Sequence, residues 1–176
     1  MGAAFRMPII GKIGQQNTKK MFFHTEEIPL DVPRGLRGTT LLFLTDPHIG
    51  GSIDAIIPEV NAGMKQLLMD TDPTKTLILH GGDFISGHSG TFSPTGPDIT
   101  KVASELFAGL TSYPHFAVVG NHDEEDPDFP RMRKHLEDQF GVHFMTSPKD
   151  TQLLTMGENT ILIHGIHTLL DHLQTI

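Results

Sequence analysis

The sequence predicts an α/β domain, and three observations carry that expectation. Short apolar runs at residues 41–45, 76–80 and 116–119 are each too short for a helix and each end in polar residues or glycine. Amphipathic patterns at three- and four-residue spacing separate them, as surface helices would. Strand, helix, strand, helix, strand is the alternation from which parallel sheets are built.

Each element can be argued in sequence order. Residues 1–20 carry scattered apolar side chains interrupted by Pro8, Gly11 and Gly14, and they read as a loosely ordered lead-in without the apolar core of a signal peptide. A short strand is expected at 21–24, followed by a connecting loop marked by Pro33, Gly35 and Gly38. The protein therefore divides into a lead-in, 1–27, and a domain, 28–176. The three apolar runs, continuous rather than alternating, suit strands buried on both faces. Ile53, Ile56, Ile57, Val60, Met64, Leu67 and Leu68 form the stripe of a first helix, with Pro58 in its first turn or marking its start. Residues 84–97, with Pro94, Pro97 and several glycines, form a long irregular loop of a kind often used for function.

Ile99, Val102, Ala103, Leu106, Phe107 and Leu110 mark a second helix. The acidic group Asp123, Glu124, Glu125, Asp126 and Asp128 reads as a solvated lead-in to a third. That helix begins near Pro130 and runs through Met132, Leu136 and Phe140 to a C-cap at Gly141. Short strands follow at 142–145, 152–156 and 160–164, the last two joined by a three-residue hairpin loop, 157–159.

Composition narrows the function. At 176 residues, 38% hydrophobic and 19% charged, the protein has the size and balance of one folded domain. Its net charge of −8 argues against a broad basic surface for nucleic acid, so no nucleic-acid partner is expected. A small phosphorylated substrate is compatible with that charge, because bound cations supply positive charge locally. The absence of cysteine excludes disulfides, thiolate metal sites and a cysteine nucleophile. No apolar stretch approaches the roughly 18 residues of a membrane span, and a cytoplasmic protein is expected.

The three core strands share a feature that periodicity does not demand. The first ends in Asp46, Pro47 and His48, the second in Gly82 and Asp83, the third in Gly120, Asn121, His122 and Asp123. In open α/β sheets the residues just past the carboxyl ends of neighbouring strands meet, and binding sites form there. Carboxylate, imidazole and amide oxygen together suit Mn, Fe, Zn or Mg, without choosing among them. Asp83 lies on the middle motif, where a carboxylate can bridge two ions. Asp46 and Asp83 at the ends of buried strands would repel each other unless a cation sat between them.

Asp-x-His, Gly-Asp and Gly-Asn-His-Asp, in that order and each closing a strand, resemble the first blocks of the calcineurin-like metallophosphoesterases. The resemblance runs from about Leu30 to Gly165. Residues 28–51, with Pro33, Arg34, Gly35 and Leu36 leading into the first strand, look most like the branch of UDP-diacylglucosamine pyrophosphatase-like and membrane-associated phosphoesterases. The resemblance implies a sandwich of two β-sheets flanked by helices, and hydrolysis of phosphoester bonds with two divalent metal ions. Asp46 and His48 would hold the first ion, Asp83 would bridge both, and Asn121 would bind the second. His122 would stand at the scissile phosphate, stabilising the transition state or protonating the leaving group, and a metal-bound hydroxide would be the nucleophile.

The family completes its site with further histidines, including a Gly-His-x-His block that has no counterpart among these 176 residues. The second sheet is accordingly expected to be incomplete, and the domain to be a C-terminally truncated form of the family's. An uncovered sheet face would favour a homo-oligomer or a companion subunit. The alternative is a catalytically impaired relative that binds metal or a partner. His164 and His167 could stand in for missing ligands and His88 could approach substrate. His24, His80, His115, His135, His143 and His172 read as structural or solvent-facing, and Asp123 as either an orienting residue or a cap.

Overall fold

The structure, a computed structural model, describes residues 5–10, 23–28, 36–51, 54, 56–86, 98–147, 150–157 and 159–165, the first two segments by their backbone alone. Its strands are β1 (Phe5–Ile10), β2 (Phe23–Ile28), β3 (Thr40–Leu44), β4 (Thr76–His80), β5 (His115–Val118), β6 (Val142–Met145), β7 (Thr151–Met156) and β8 (Asn159–His164). The helices are α1 (Ile57–Leu68), α2 (Ile99–Phe107), α3 (Asn121–Glu125) and α4 (Phe129–Phe140). A main sheet of six strands has the order β2-β1-β3-β4-β5-β6, and β7 and β8 form a second, antiparallel sheet. All neighbours in the main sheet are parallel except β2 against β1. This is the expected mixed α/β architecture with two sheets and flanking helices.

The register aligns the carboxyl ends. Leu44 of β3 lies opposite His80 of β4, and His80 lies opposite Ala117 of β5. Three consecutive parallel strands therefore stop nearly level, and the segments that follow them emerge side by side.

One face of the sheet is covered by α1, α2 and α4. Leu42, Ile78, Ala117, Val142 and Phe144 point into a core completed by Val60 and Met64 of α1, Val102 and Leu106 of α2, and Met132 and Leu136 of α4. Each such side chain, fully buried, contributes roughly 1.5–3 kcal/mol relative to exposure. Pro58 in the first turn of α1 and the left-handed Gly141 that ends α4 act as read. Asp98, which the pattern did not single out, caps α2 by accepting from the Thr100 amide at 3.0 Å. Ile53 lies outside the described residues, and α1 starts at Ile57.

The expectation of strands buried on both sides holds only in part on the opposite face. Leu77 of β4 is buried there, but Leu41, Phe43, Leu79, Phe116 and Val118 are only half-buried, and the described helices pack on the other side. In the second sheet the facing pair Leu153 and Leu162 is exposed, while Met156 is buried. The end of β8 returns to the main sheet, since a Cβ at Gly165 would overlap Met145 and touch Val118. The hairpin turn is one residue tighter than expected, because Asn159 already pairs with Met156. Gly157, with a φ of 61°, supplies the left-handed backbone this turn uses.

The amino-terminal strands are the larger departure. The segment read as a loosely ordered lead-in contains β1, and β2 extends the short strand expected at 21–24 as far as Ile28. Pro8 and Gly11 interrupt the apolar pattern there, so periodicity did not reveal β1. The residues 87–97 of the long loop, and with them His88, lie outside the described residues, as do His167 and His172.

Two buried imidazoles, His80 at the end of β4 and His115 at the start of β5, form a directed relay. His115 Nε2 lies 2.7 Å from the Leu110 carbonyl, which can only accept, so Nε2 carries the proton and Nδ1 is an acceptor. His80 Nε2, 3.0 Å from that Nδ1, must then donate to it. Burial, and for His80 the neighbouring His115 as well, pushes both rings below the ordinary imidazole range, so both stay neutral. The unfolded protein would take up protons as pH falls below about 6.5 while the folded protein resists them, so this contribution is present above that pH and lost below it. We expect the unfolding free energy measured in urea to fall from pH 7 to pH 5, by at most about 1.4 kcal/mol per pH unit for each ring. The double variant His80→Leu/His115→Leu should flatten that slope; an unchanged slope would show that other groups cause it.

Candidate metal centre

Pairing between β3 and β4 does not stop where the regular strands end. The Gly81 amide donates to the Leu44 carbonyl at 2.8 Å, Asp46 to Gly82 at 3.1 Å, His48 to Asp83 at 3.0 Å and Ile49 to Phe84 at 2.8 Å. The Ser86 amide then donates to Ile49 at 3.1 Å, and Ile49 and Ile85 form a parallel bridge. Both isoleucines are fully buried and anchor this extension in the core. The two segments after β3 and β4 are thus zipped together by backbone bonds and held down by apolar side chains.

The zipper has an irregular backbone, and the irregularity is selective. Among the described residues, the non-glycine residues with positive φ are Asp46 (53°), His48 (47°) and Asp83 (54°). The left-handed region costs an ordinary L-residue roughly 1–2 kcal/mol. Such strain persists only where surrounding structure over-determines it, and it clusters at functional sites. The same three residues bring one ligand atom each to within 4.8 Å of the others.

Those side chains are half-buried and converge without a fixed cation. His48 Nε2 lies 3.6 Å from Asp46 Oδ1, and the Thr45 hydroxyl donates to Asp46 Oδ2 at 2.7 Å. No lysine or arginine among the described residues forms an ion pair with Asp46 or Asp83. Two carboxylates and an imidazole are a donor set for a divalent ion. Donors bound at about 2.0–2.2 Å stand at most about 4.4 Å apart, so the present spacing needs only a small contraction to close on one.

The third motif joins through α3. The His122 amide donates to Asp83 Oδ1 at 3.1 Å, and the His122 ring stands edge-on to His48 with centroids 5.2 Å apart. Asn121 opens α3, is exposed, and immediately precedes His122. The structure thus gathers Asp46, His48 and Asp83 as one group, sets His122 against it and leaves Asn121 at its margin.

Asp123 is buried rather than solvated. Its Oδ2 accepts from the Gly120 amide at 2.9 Å and its Oδ1 from the Ile85 amide at 3.1 Å. Burial pushes its carboxyl up to about 6, amide hydrogen bonds opposing and the charge of Asp83 adding to the rise. Asp126, also buried, is likewise not part of a solvated face; its Oδ1 accepts from the Asp128 amide at 2.9 Å.

Two residues that the sequence motifs do not include support the first two of them. The Ser86 hydroxyl donates to the His48 carbonyl at 2.9 Å, and Thr45 orients Asp46 as described. Nothing in composition or periodicity marks Ser86. His135 bonds Ser104 and His143 is exposed, in keeping with structural or solvent-facing roles, while His164, a candidate stand-in ligand, meets Thr151 and is not in the ligand group.

The motif glycines have a steric reason. Gly82 has a φ of 88°, and a Cβ there would stand 2.6 Å from the Gly120 amide nitrogen. A Cβ at Gly120 would overlap the Asp83 carboxylate. Backbone thus replaces side chain where the second and third motifs meet.

A family model, calcineurin-like phosphoesterase, matches residues 39–175. No curated protein and no solved structure is similar enough to this protein to match.

Gly82→Ala should combine backbone strain with this collision. Gly38, with a φ of 79° and open space around its missing Cβ, provides a control for strain alone. Gly38→Ala is expected to cost about 1 kcal/mol in urea unfolding and Gly82→Ala clearly more. Equal costs would mean that the close approach of the two motifs is not tight.

Proposed function

Because the protein belongs to the calcineurin-like phosphoesterases, we propose that it hydrolyses phosphoester bonds at the centre formed by Asp46, His48 and Asp83. One observation carries the proposal: the strained non-glycine residues and the clustered ligand atoms are the same three residues. Strain and the approach of two carboxylates both oppose folding, and a bound divalent cation offsets the second.

In this reading Asp46, His48, Asp83 and Asn121 would hold two ions, Asp46 and His48 serving the first, Asn121 the second and Asp83 both. The ions, drawn from Mn, Fe, Zn or Mg, supply Lewis acidity, lowering the pKa of water and neutralising phosphate charge. The protein's own groups do the rest. Thr45 fixes the Asp46 carboxylate, and Ser86 fixes the His48 backbone. The His122 amide donates to Asp83 Oδ1 and so orients its carboxylate. His122, edge-on to His48, is placed to donate a proton to a leaving oxygen or a hydrogen bond to a phosphate oxygen.

We place the substrate among small phosphorylated molecules: monoester, diester or pyrophosphate. Within the family, the resemblance of residues 28–51 supports the UDP-diacylglucosamine pyrophosphatase-like branch. No helix among the described residues is long and apolar enough to cross a membrane. A second copy covering the exposed Leu153–Leu162 pair belongs to the same proposal, and a monomer in light scattering would remove that part of it.

The test is hydrolysis of a generic phosphodiester by the purified protein, with and without Mn²⁺, beside Asp83→Asn. Turnover should require Mn²⁺, disappear with chelator, and fall at least about a hundredfold in the variant, as when a transition-state charge stabiliser is lost. Wild-type turnover no greater than the variant's, with Mn²⁺ still bound, would favour the alternative of a metal-binding relative without catalysis.

A further inference from the structure

The second and third motifs are tied to each other in both directions. Asp83, from the segment after β4, accepts a backbone amide of α3, that of His122, at 3.1 Å. Asp123, from α3, accepts a backbone amide of the segment after β4, that of Ile85, at 3.1 Å. Two carboxylates thus exchange places across one small gap, each holding the backbone that carries the other.

A cap would not need this arrangement. Capping α3 requires only the bond from the Gly120 amide to Asp123 Oδ2, which is present at 2.9 Å. The other oxygen serves the Ile85 amide, which belongs to a segment 38 residues away in sequence. Asp123 is 1% exposed, so water cannot replace either bond, and an amide left without a partner there would carry its full desolvation cost. Removing that carboxylate would release the Ile85 amide from α3 and leave the segment that presents Asp83 held there by its pairing with residues 46–49 alone.

We propose that Asp123 is a positioning residue of the metal centre, holding the Asp83 segment against α3 so that Asp83 and His122 keep their mutual geometry. The assignment rests on the function proposed above for its consequence in metal affinity, but the tie itself is a property of the metal-free protein. Partners one step behind the ligands commonly change metal affinity by ten- to a hundredfold when replaced.

Asp123→Asn is nearly isosteric and substitutes an NH₂ for one acceptor, so at least one of the two amides faces a donor. Hydrogen exchange in the metal-free protein reads the tie directly. Protection of 82–86 should fall in Asp123→Asn while that of α4 and β6 is retained. Calorimetric titration with Mn²⁺ should show affinity weaker by about ten- to a hundredfold, and turnover should recover at high Mn²⁺. Should Asn prevent folding, Asp123→Ser leaves room for a water between the two amides and is expected to show the same pattern. Unchanged protection of 82–86, or unchanged Mn²⁺ affinity with only a lower melting temperature, would reduce Asp123 to a cap and overturn the proposal. A wild-type protein that binds no Mn²⁺ would instead sink the phosphoesterase function, with hydrogen exchange still deciding whether the tie exists.

Discussion

The continuation of β3–β4 pairing past the regular strand ends is the constraint on which the site depends. Four backbone bonds, from Gly81 to Leu44, Asp46 to Gly82, His48 to Asp83 and Ile49 to Phe84, fix two irregular segments against each other. Neighbouring strands run about 4.7–4.9 Å apart. Side chains presented from equivalent positions on adjacent segments therefore fall into the range at which Asp46, His48 and Asp83 meet. Ile49 and Ile85, buried side by side just beyond, prevent the segments from fraying into loops. Ligand geometry is in this sense a by-product of sheet geometry, provided the backbone can be forced into the left-handed region at the ligand positions.

That condition explains the residue types. Aspartate tolerates positive φ better than most residues, and histidine is also enriched there. Where the backbone must come closer still, at Gly82 and Gly120, no side chain fits at all. The energetic cost of strain and like charge is borne by the surrounding core, in which Phe84, Ile85 and Ile49 are wholly buried. Directed hydrogen bonds then define orientation. Thr45 fixes one oxygen of Asp46, the His122 amide one oxygen of Asp83, and Asp123 is held at both oxygens. Backbone pairing and hydrogen bonds of the protein itself therefore define the arrangement of these side chains.

Much of this was legible in the residues themselves. The runs at 41–45, 76–80 and 116–119 became β3, β4 and β5 with shifts of a residue at most, because short apolar segments bounded by glycine and polar residues have few other uses. The convergence of Asp46, His48 and Asp83 followed from strand order alone, once the strands were taken as adjacent and parallel. What sequence could not reveal depended on tertiary context. β1 was hidden because Pro8 breaks its pattern and its pairing partners lie elsewhere in the sequence. The second face of the sheet could not be judged half-buried from apolar runs that look the same whether or not anything covers them. Asp123 and Asp126, read as members of a solvated acidic group, are buried with backbone amides on their carboxylates, one of them from Ile85, 38 residues away in sequence. No local pattern announces such donors.

The acidity of this region follows the same logic from the opposite direction. The charge of Asp83 adds to the rise in the buried Asp123 carboxyl, yet neither residue is matched by an ion pair with lysine or arginine among the described residues. Amide dipoles make the arrangement tolerable: His122 supplies one to Asp83, and Gly120 and Ile85 supply theirs to Asp123. These donors hold Asp123 at both oxygens, while Asp83, which accepts from the His122 amide, also offers a ligand atom to the group with Asp46 and His48. The division of labour between two adjacent carboxylates, one held at both oxygens and one offering a ligand atom, is what separates a structural tie from a ligand. It emerges here from backbone amides alone.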